Sequence, residues 1–337
     1  MNAHAFYAQD ASARASWRLA VLMGANSRTY KFALAQTLLE LAGEGQRSLR
    51  LAEFAVPYSL HIARRMATSP QASQTIRLSE SDFLAVAAQE SAATLTAGRP
   101  TERLVAAAAR SIPTMVMQKF HNLRGDTTVP HTFYHVTGSG QERVVRLAPE
   151  ILSLARSEHG AALAGELDAR WSIVETSFAA GVGRSLIEEG VSVDWNALKI
   201  VDKQRRRSVT GLIEAVIGFQ HGRCLICNDL LTRADPAAVD HVFPFSLMHR
   251  YASVDAWQGP DLDALWNLAP THATCNLAKS DRLPTPAELA RLVARNEAIM
   301  ASPHPLRRTL YLSLNGVLPG RRAPSWAAFV QSVRTAL

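Results

Sequence analysis

The three cysteines of this chain all fall between positions 224 and 275, and together with His272 they make two pairs. "GRCLICNDLL" gives Cys224-x2-Cys227 and "THATC" gives His272-x2-Cys275. Two-residue spacing lets both side chains of a tight turn reach one ion, and three thiolates with one imidazole form a tetrahedral set suited to structural zinc. A redox Cys-x-x-Cys needs a thioredoxin-like βαβ surrounding, which this sequence lacks. Between the pairs stands "VDHVFPFS", with Asp240 and His241 adjacent. Neighbours on a strand point to opposite faces, so the carboxylate can bind a cation while the imidazole meets a water beside it. Phosphodiester hydrolysis needs both: positive charge against the phosphate, and a base that titrates near neutrality. Asn276 follows the ligand Cys275 directly, so a fixed zinc also fixes an amide oxygen that can ligate a hard cation such as Mg²⁺. Lys279 lies three positions on, on the same face of a helical "CNLAKSDRL", which places it to contact phosphate.

The order Cys224, Cys227, Asp240, His241, Pro244, Asn267, Leu268, Cys275, Asn276, Lys279 resembles the HNH, or ββα-metal, endonucleases. The resemblance is specifically to their cysteine-bearing subgroup, which includes McrA-type restriction nucleases and phage Holliday-junction resolvases. The resemblance covers residues 208 to 283. It implies that Asp240 and Asn276 hold one catalytic divalent cation and that His241 activates water. It also implies that Asn267 braces the loop between two strands and orients the base, and that the products carry 5′-phosphate and 3′-hydroxyl ends. Two positions depart from the subgroup: His272 stands where a cysteine is usual, and Asn276 replaces the final histidine. With one anionic ligand, the catalytic site should bind its cation weakly and prefer Mg²⁺ or Mn²⁺.

The positioning elements are mostly helices. Tyr30, Leu34, Leu38 and Leu41 make a helical stripe closed by Gly43, Ser79 with Asp82 opens a helix ending at Gly98, and Leu163, Leu167, Trp171, Val174 and Phe178 share one face. "HTFYHV" and "ERVVRL", separated by "TGSGQ", predict a β-hairpin. Near Lys119, Arg143 and Arg146 it reads either as a solvated face or as a wing on DNA. At "KIVDKQRRRSV" the composition shifts. Lys203, Arg205, Arg206 and Arg207 precede a helical stripe of Val209, Leu212, Ile213 and Val216, and read either as a solvated linker or as a phosphate contact at a helix start. Arg282 joins them as a candidate nucleic-acid contact. The acidic loop "DAWQGPDLDALW" reads as an insertion packed over the module and kept off DNA. Thr285, Pro286 and Glu288 start a further helix, and Ser325 opens the last one.

The expected fold is mainly α. A helical domain with a short hairpin (1–200) has a recognition or partner role, a zinc-stabilised ββα-metal nuclease module follows (201–284), and trailing helices (285–337) pack back on the body. With 337 residues and 47% apolar content, the chain can bury cores of ordinary size. Lys and Arg total 36 against 29 Asp and Glu, a net charge of +7 that suits a polyanionic partner such as DNA. "LAVLMGA" is too short for a signal core or a membrane span, so a cytoplasmic protein with no membrane partner is expected. The leading expectation is a metal-dependent DNA endonuclease, an effector in restriction or anti-phage defence, with defence-system proteins reached through the N-terminal domain. The alternatives are a zinc-stabilised nucleic-acid binder that does not cut, and an RNase.

Overall fold

The computed structural model describes residues 10–23, 26–123, 127–179, 191–194, 199–202, 208–232, 234–235, 237–247, 259–304, 306–315 and 325–336. It is mainly helical, 59% helix against 11% strand, with small sheets. Two compact units divide the chain, Asp10–Leu186 as the first and Ile187–Leu337 grouped with Met1–Gln9 as the second. Among the described residues no helix is long and apolar enough to cross a membrane.

In the first unit α1 (Ala13–Leu22), α2 (Tyr30–Gly43), α3 (Leu51–Met66), α4 (Phe83–Ala97), α5 (Glu102–Met115), α6 (Pro149–Arg156) and α7 (Gly160–Ala179) surround a small antiparallel sheet. The stripes on α2 and α7 are buried along their length. The cap of α4 is Asp82, whose carboxylate accepts from the Leu84 amide, rather than Ser79; Gly98 closes the helix in the left-handed region at φ 67°. The predicted hairpin is present, with β2 (Tyr134–Thr137) paired to β3 (Val144–Leu147) and β1 (Ser48–Arg50) added on the far edge of β3. Gly138 turns it at φ 75°, where a Cβ would meet the Glu142 carbonyl at 2.6 Å. The core centres on Trp17, which lies 5.2 Å edge-on to Phe133 and 5.9 Å from Phe120.

The second unit begins with strands where the sequence suggests a linker. β4 (Val191–Asp194), β5 (Lys199–Asp202) and β6 (Ser208–Gly211) form an antiparallel sheet in that order. Val209 therefore belongs to a strand, and the helix that follows, α8 (Leu212–Val216), is shorter than the stripe predicts; β-branched Val209 and Thr210 favour the extended backbone. Lys203, Arg205, Arg206 and Arg207 lie outside the described residues.

β7 (Ala237–His241) then pairs antiparallel with β8 (Leu268–His272), and α9 (Ala273–Lys279) follows β8 without a break. Ala237 faces His272 across the ladder and His241 faces Leu268, so opposite ends of one ribbon carry a metal-type ligand and the candidate base. At strand rise the two ends are about 13 Å apart.

Trailing helices α10 (Pro286–Ala301), α11 (Arg307–Asn315) and α12 (Trp326–Thr335) complete the unit. Thr285 and Glu288 form the reciprocal cap expected for α10. Arg291 on α10 donates to the carbonyls of Leu225 and Ile226 at 2.6 Å each, and the fully buried Arg295 donates to the carbonyls of Trp266 and Leu268. Trp266 packs edge-on against Phe329 of α12 at 4.8 Å. The trailing helices thus brace both the cysteine turn and the β8 entrance.

Candidate functional site

Asn228 holds the Cys224–Cys227 turn tight by adopting φ 68°, while its amide donates to the Cys224 carbonyl at 3.0 Å. The turn docks on β8 through the Leu225 amide, which donates to the Pro270 carbonyl at 3.2 Å, and through Gln220, whose Nε2 reaches the same oxygen at 3.1 Å. His272 ends β8 and Cys275 lies in the first turn of α9. The candidate ligand atoms of Cys224, Cys227, His272 and Cys275 lie within 4.8 Å of one another, a group that can hold a metal ion such as zinc. His272 Nδ1 is 3.4 Å from Cys227 Sγ and 3.8 Å from Cys275 Sγ, close to the roughly 3.5 Å edge of a tetrahedral zinc site.

Two further features fit a cation there. His272 Nε2 donates to the Leu230 carbonyl at 3.2 Å, which leaves Nδ1 with the lone pair aimed at the sulfurs. The Asp229 and His272 amides each point at a sulfur at 3.4 Å, on Cys227 and Cys224, an arrangement that favours thiolates. Burial of the sulfur, together with the Cys224 and Cys275 thiols beside it, pushes Cys227 up to about 12, although the residue as a whole is exposed. Cys275 is raised as well, again first by burial. A zinc ion held there would reverse this preference by stabilising the thiolates directly.

At the other end of the ribbon Asp240 is buried, 4% exposed. Its Oδ1 accepts from Lys279 Nζ at 3.0 Å, while Oδ2 is buried without a hydrogen-bond partner. Burial outweighs the adjacent ammonium and raises the Asp240 carboxyl above the usual range. An orphaned carboxylate oxygen in a dry site is an acceptor that a cation would satisfy.

Lys279 differs from its expected role at phosphate. Its side chain has no exposed surface, and Nζ is committed to Asp240 and, at 2.9 Å, to the His241 carbonyl. The short helix α9 lies against β7, so the long stem folds inward and pairs with the buried acid. Arg282 differs too: it grips Glu288 through both guanidinium nitrogens at 3.1 and 2.8 Å and reinforces the start of α10. Its side chain is 43% exposed, but its charge is already paired with Glu288.

His241 is half-buried, and its Nε2 donates to Asp263 Oδ1 at 3.0 Å. A carboxylate can only accept, so the neutral ring carries its proton on Nε2 and its basic lone pair on Nδ1. Phe245 packs beside the imidazole at 5.4 Å between ring centroids. Asp263 comes from the acidic loop that reads in sequence as an insertion packed over the module, and it lies four residues before Asn267.

Asn267 is fully buried and joins this loop to the strand exit. Its Oδ1 accepts from the Phe243 amide at 2.8 Å, and Nδ2 donates to the carbonyls of Phe243 and Leu262, both at 2.8 Å. One side chain thereby clamps the segments that carry His241 and Asp263. Asn276 is half-buried on α9, directly after Cys275.

Comparison with protein-family models, curated proteins and solved structures finds no match. The site consists of a thiol–imidazole group and an Asp–His pair on one ribbon, joined by α9 and clamped by Asn267 and Lys279.

Proposed function

We propose that residues 208–283 form a zinc-stabilised ββα-metal module that hydrolyses DNA phosphodiester bonds. The observation that carries this reading is the pairing, on one strand, of an orphaned buried carboxylate oxygen on Asp240 with an imidazole whose tautomer Asp263 fixes. Structural zinc on Cys224, Cys227, His272 and Cys275 would lock the turn to β8 and α9. A single Mg²⁺ or Mn²⁺ ion on Asp240 and Asn276 would supply positive charge against the phosphate and the leaving oxygen.

The chain's own part is proton management. His241 takes a proton from water on Nδ1, and Asp263 holds the opposite nitrogen and stabilises the imidazolium. The hydroxide so formed bonds to phosphorus, the bond from phosphorus to the 3′-oxygen breaks, and that oxygen acquires a proton from solvent. Asn267 keeps base and carboxylate in register by clamping both loops. The net charge of +7 favours a polyanionic substrate.

Asp263 acts through His241 as a positioning residue. Asp263→Asn is expected to slow cleavage about 10- to 100-fold with little change in substrate affinity, and Asp263→Glu to recover part of the loss. Equal rates for Asp263→Asn and the parent would exclude this role.

A second reading, a zinc-stabilised nucleic-acid binder without cleavage, is favoured by one observation: Lys279 already neutralises part of the charge that a cation on Asp240 would meet. The full chain, incubated with supercoiled plasmid, single-stranded DNA, modified DNA and RNA in Mg²⁺ or Mn²⁺, separates the readings. Nicked plasmid, abolished by EDTA, is the expected outcome. Cleavage of RNA alone would assign an RNase, and retention of every substrate uncut would assign a binder.

A further inference from the structure

The first unit contains a pocket of about 530 Å³ whose described lining residues carry charge of one sign. Arg28, Lys31 and Lys119 line it from the loop before α2, the first turn of α2 and the 3-10 turn after α5, and among the described residues no acidic side chain does. Asn122 adds a polar group, and Met115 and Val116 form part of an apolar wall. This volume falls within the range of small-molecule sites and exceeds what a lone inorganic anion requires.

Lys31 and its neighbour Arg170 are handled unlike other cations in the same unit. Arg18, buried for structure, is clasped by Glu166 through two hydrogen bonds at 2.8 and 2.6 Å. Arg65 is paired with Glu175 at 3.0 Å and with Asp168. Lys31, by contrast, makes one hydrogen bond, from Nζ to the Ala20 carbonyl at 3.1 Å, and sits over the Phe120 ring. Beside it Arg170 of α7 is 2% exposed, and its Nε and Nη1 are buried without hydrogen-bond partners. Arg28 pairs with Asp82 at 3.0 Å, yet its Nε is also buried and unpartnered. Burial, and then the positive charge of Arg170, bring Lys31 down to about 8. Buried cations are ordinarily paired, because an unpaired charge away from water costs several kcal/mol. Leaving Lys31 and Arg170 side by side without an anion is a standing cost that an anionic ligand would remove.

We propose that this pocket binds a phosphate ester of nucleotide size, its phosphate on Lys31, Arg28 and Lys119 and its organic part against Met115 and Val116. The proposal stands independently of the cleavage reaction assigned to the second unit.

Isothermal titration calorimetry of the full chain with AMP, GMP, CMP and UMP in turn tests it, with adenosine and inorganic phosphate as controls. At least one nucleoside monophosphate is expected to bind, adenosine not to bind, and Lys31→Met to weaken the interaction about tenfold or more, the loss of one charge-assisted contact. Lys119→Ala, at an exposed position where folding is not at stake, should weaken it in the same direction. Binding by none of the four nucleotides would overturn the proposal, as would undiminished binding in both variants or an affinity for inorganic phosphate equal to that for the nucleotides.

Discussion

Cys224→Ser is expected to unfold the second unit while leaving the first intact. Cys224 is 1% exposed and packs with Ile217 and Leu231, and its sulfur also accepts from the His272 amide. Losing one of the three thiolates from a four-ligand set removes most of a zinc-binding free energy on the order of 10–16 kcal/mol. That matches or exceeds the whole stability of a typical domain, about 5–15 kcal/mol, so the effect should be cooperative loss of structure rather than local loosening. Limited proteolysis of the full chain should cut within 222–283 and spare residues 10–179, and metal analysis should fall from about one zinc per chain to near none. Unchanged protection and melting would exclude structural zinc.

The second large effect is chemical. His241→Ala should lower the rate of plasmid nicking by about 10²- to 10⁴-fold, the usual contribution of a positioned base. Stability should change little. The imidazole is half-buried at the strand end, and the main-chain contact from Lys279 to the His241 carbonyl does not depend on the side chain. Zinc content should also stay at the parent level, because His241 lies at the opposite end of the ribbon from His272. Nicking at the parental rate would remove His241 from the reaction and leave Asp240 without a partner base.

Sequence and structure agree best where the signal is local. The Cys-x2-Cys and His-x2-Cys pairs, the Thr285–Glu288 cap and the stripe on α7 are each written within a turn or two of chain, and each is found where spacing places it. Short-range signals fail where two alternatives share a pattern. Val209 is β-branched and followed by β-branched Thr210, yet with Leu212, Ile213 and Val216 it also satisfies a helical stripe, and pairing of β6 with β5 decides for the strand.

Side-chain direction is the other limit. Lys279 lies on the helix face expected, but whether its ammonium reaches out to phosphate or in to Asp240 depends on the burial of an acid 39 residues away. Asp263 is 22 residues from His241, and only folding of the intervening loop reveals their contact. Arg291 and Arg295 bind main-chain carbonyls, which carry no residue-specific mark in sequence. The bracing of the site by α10 was therefore invisible beforehand, whereas its ligands were not.

The nuclease reading rests on water, activated at His241, becoming bonded to phosphorus. Nicking of supercoiled plasmid by the full chain in oxygen-18 water, with Mg²⁺ or Mn²⁺ present, measures that bond directly by mass spectrometry of the strand ends. The expected result is one oxygen-18 atom on a 5′-phosphate facing a 3′-hydroxyl, with yield collapsing in His241→Ala. Plasmid left intact with either cation, or cut ends free of label, would contradict it.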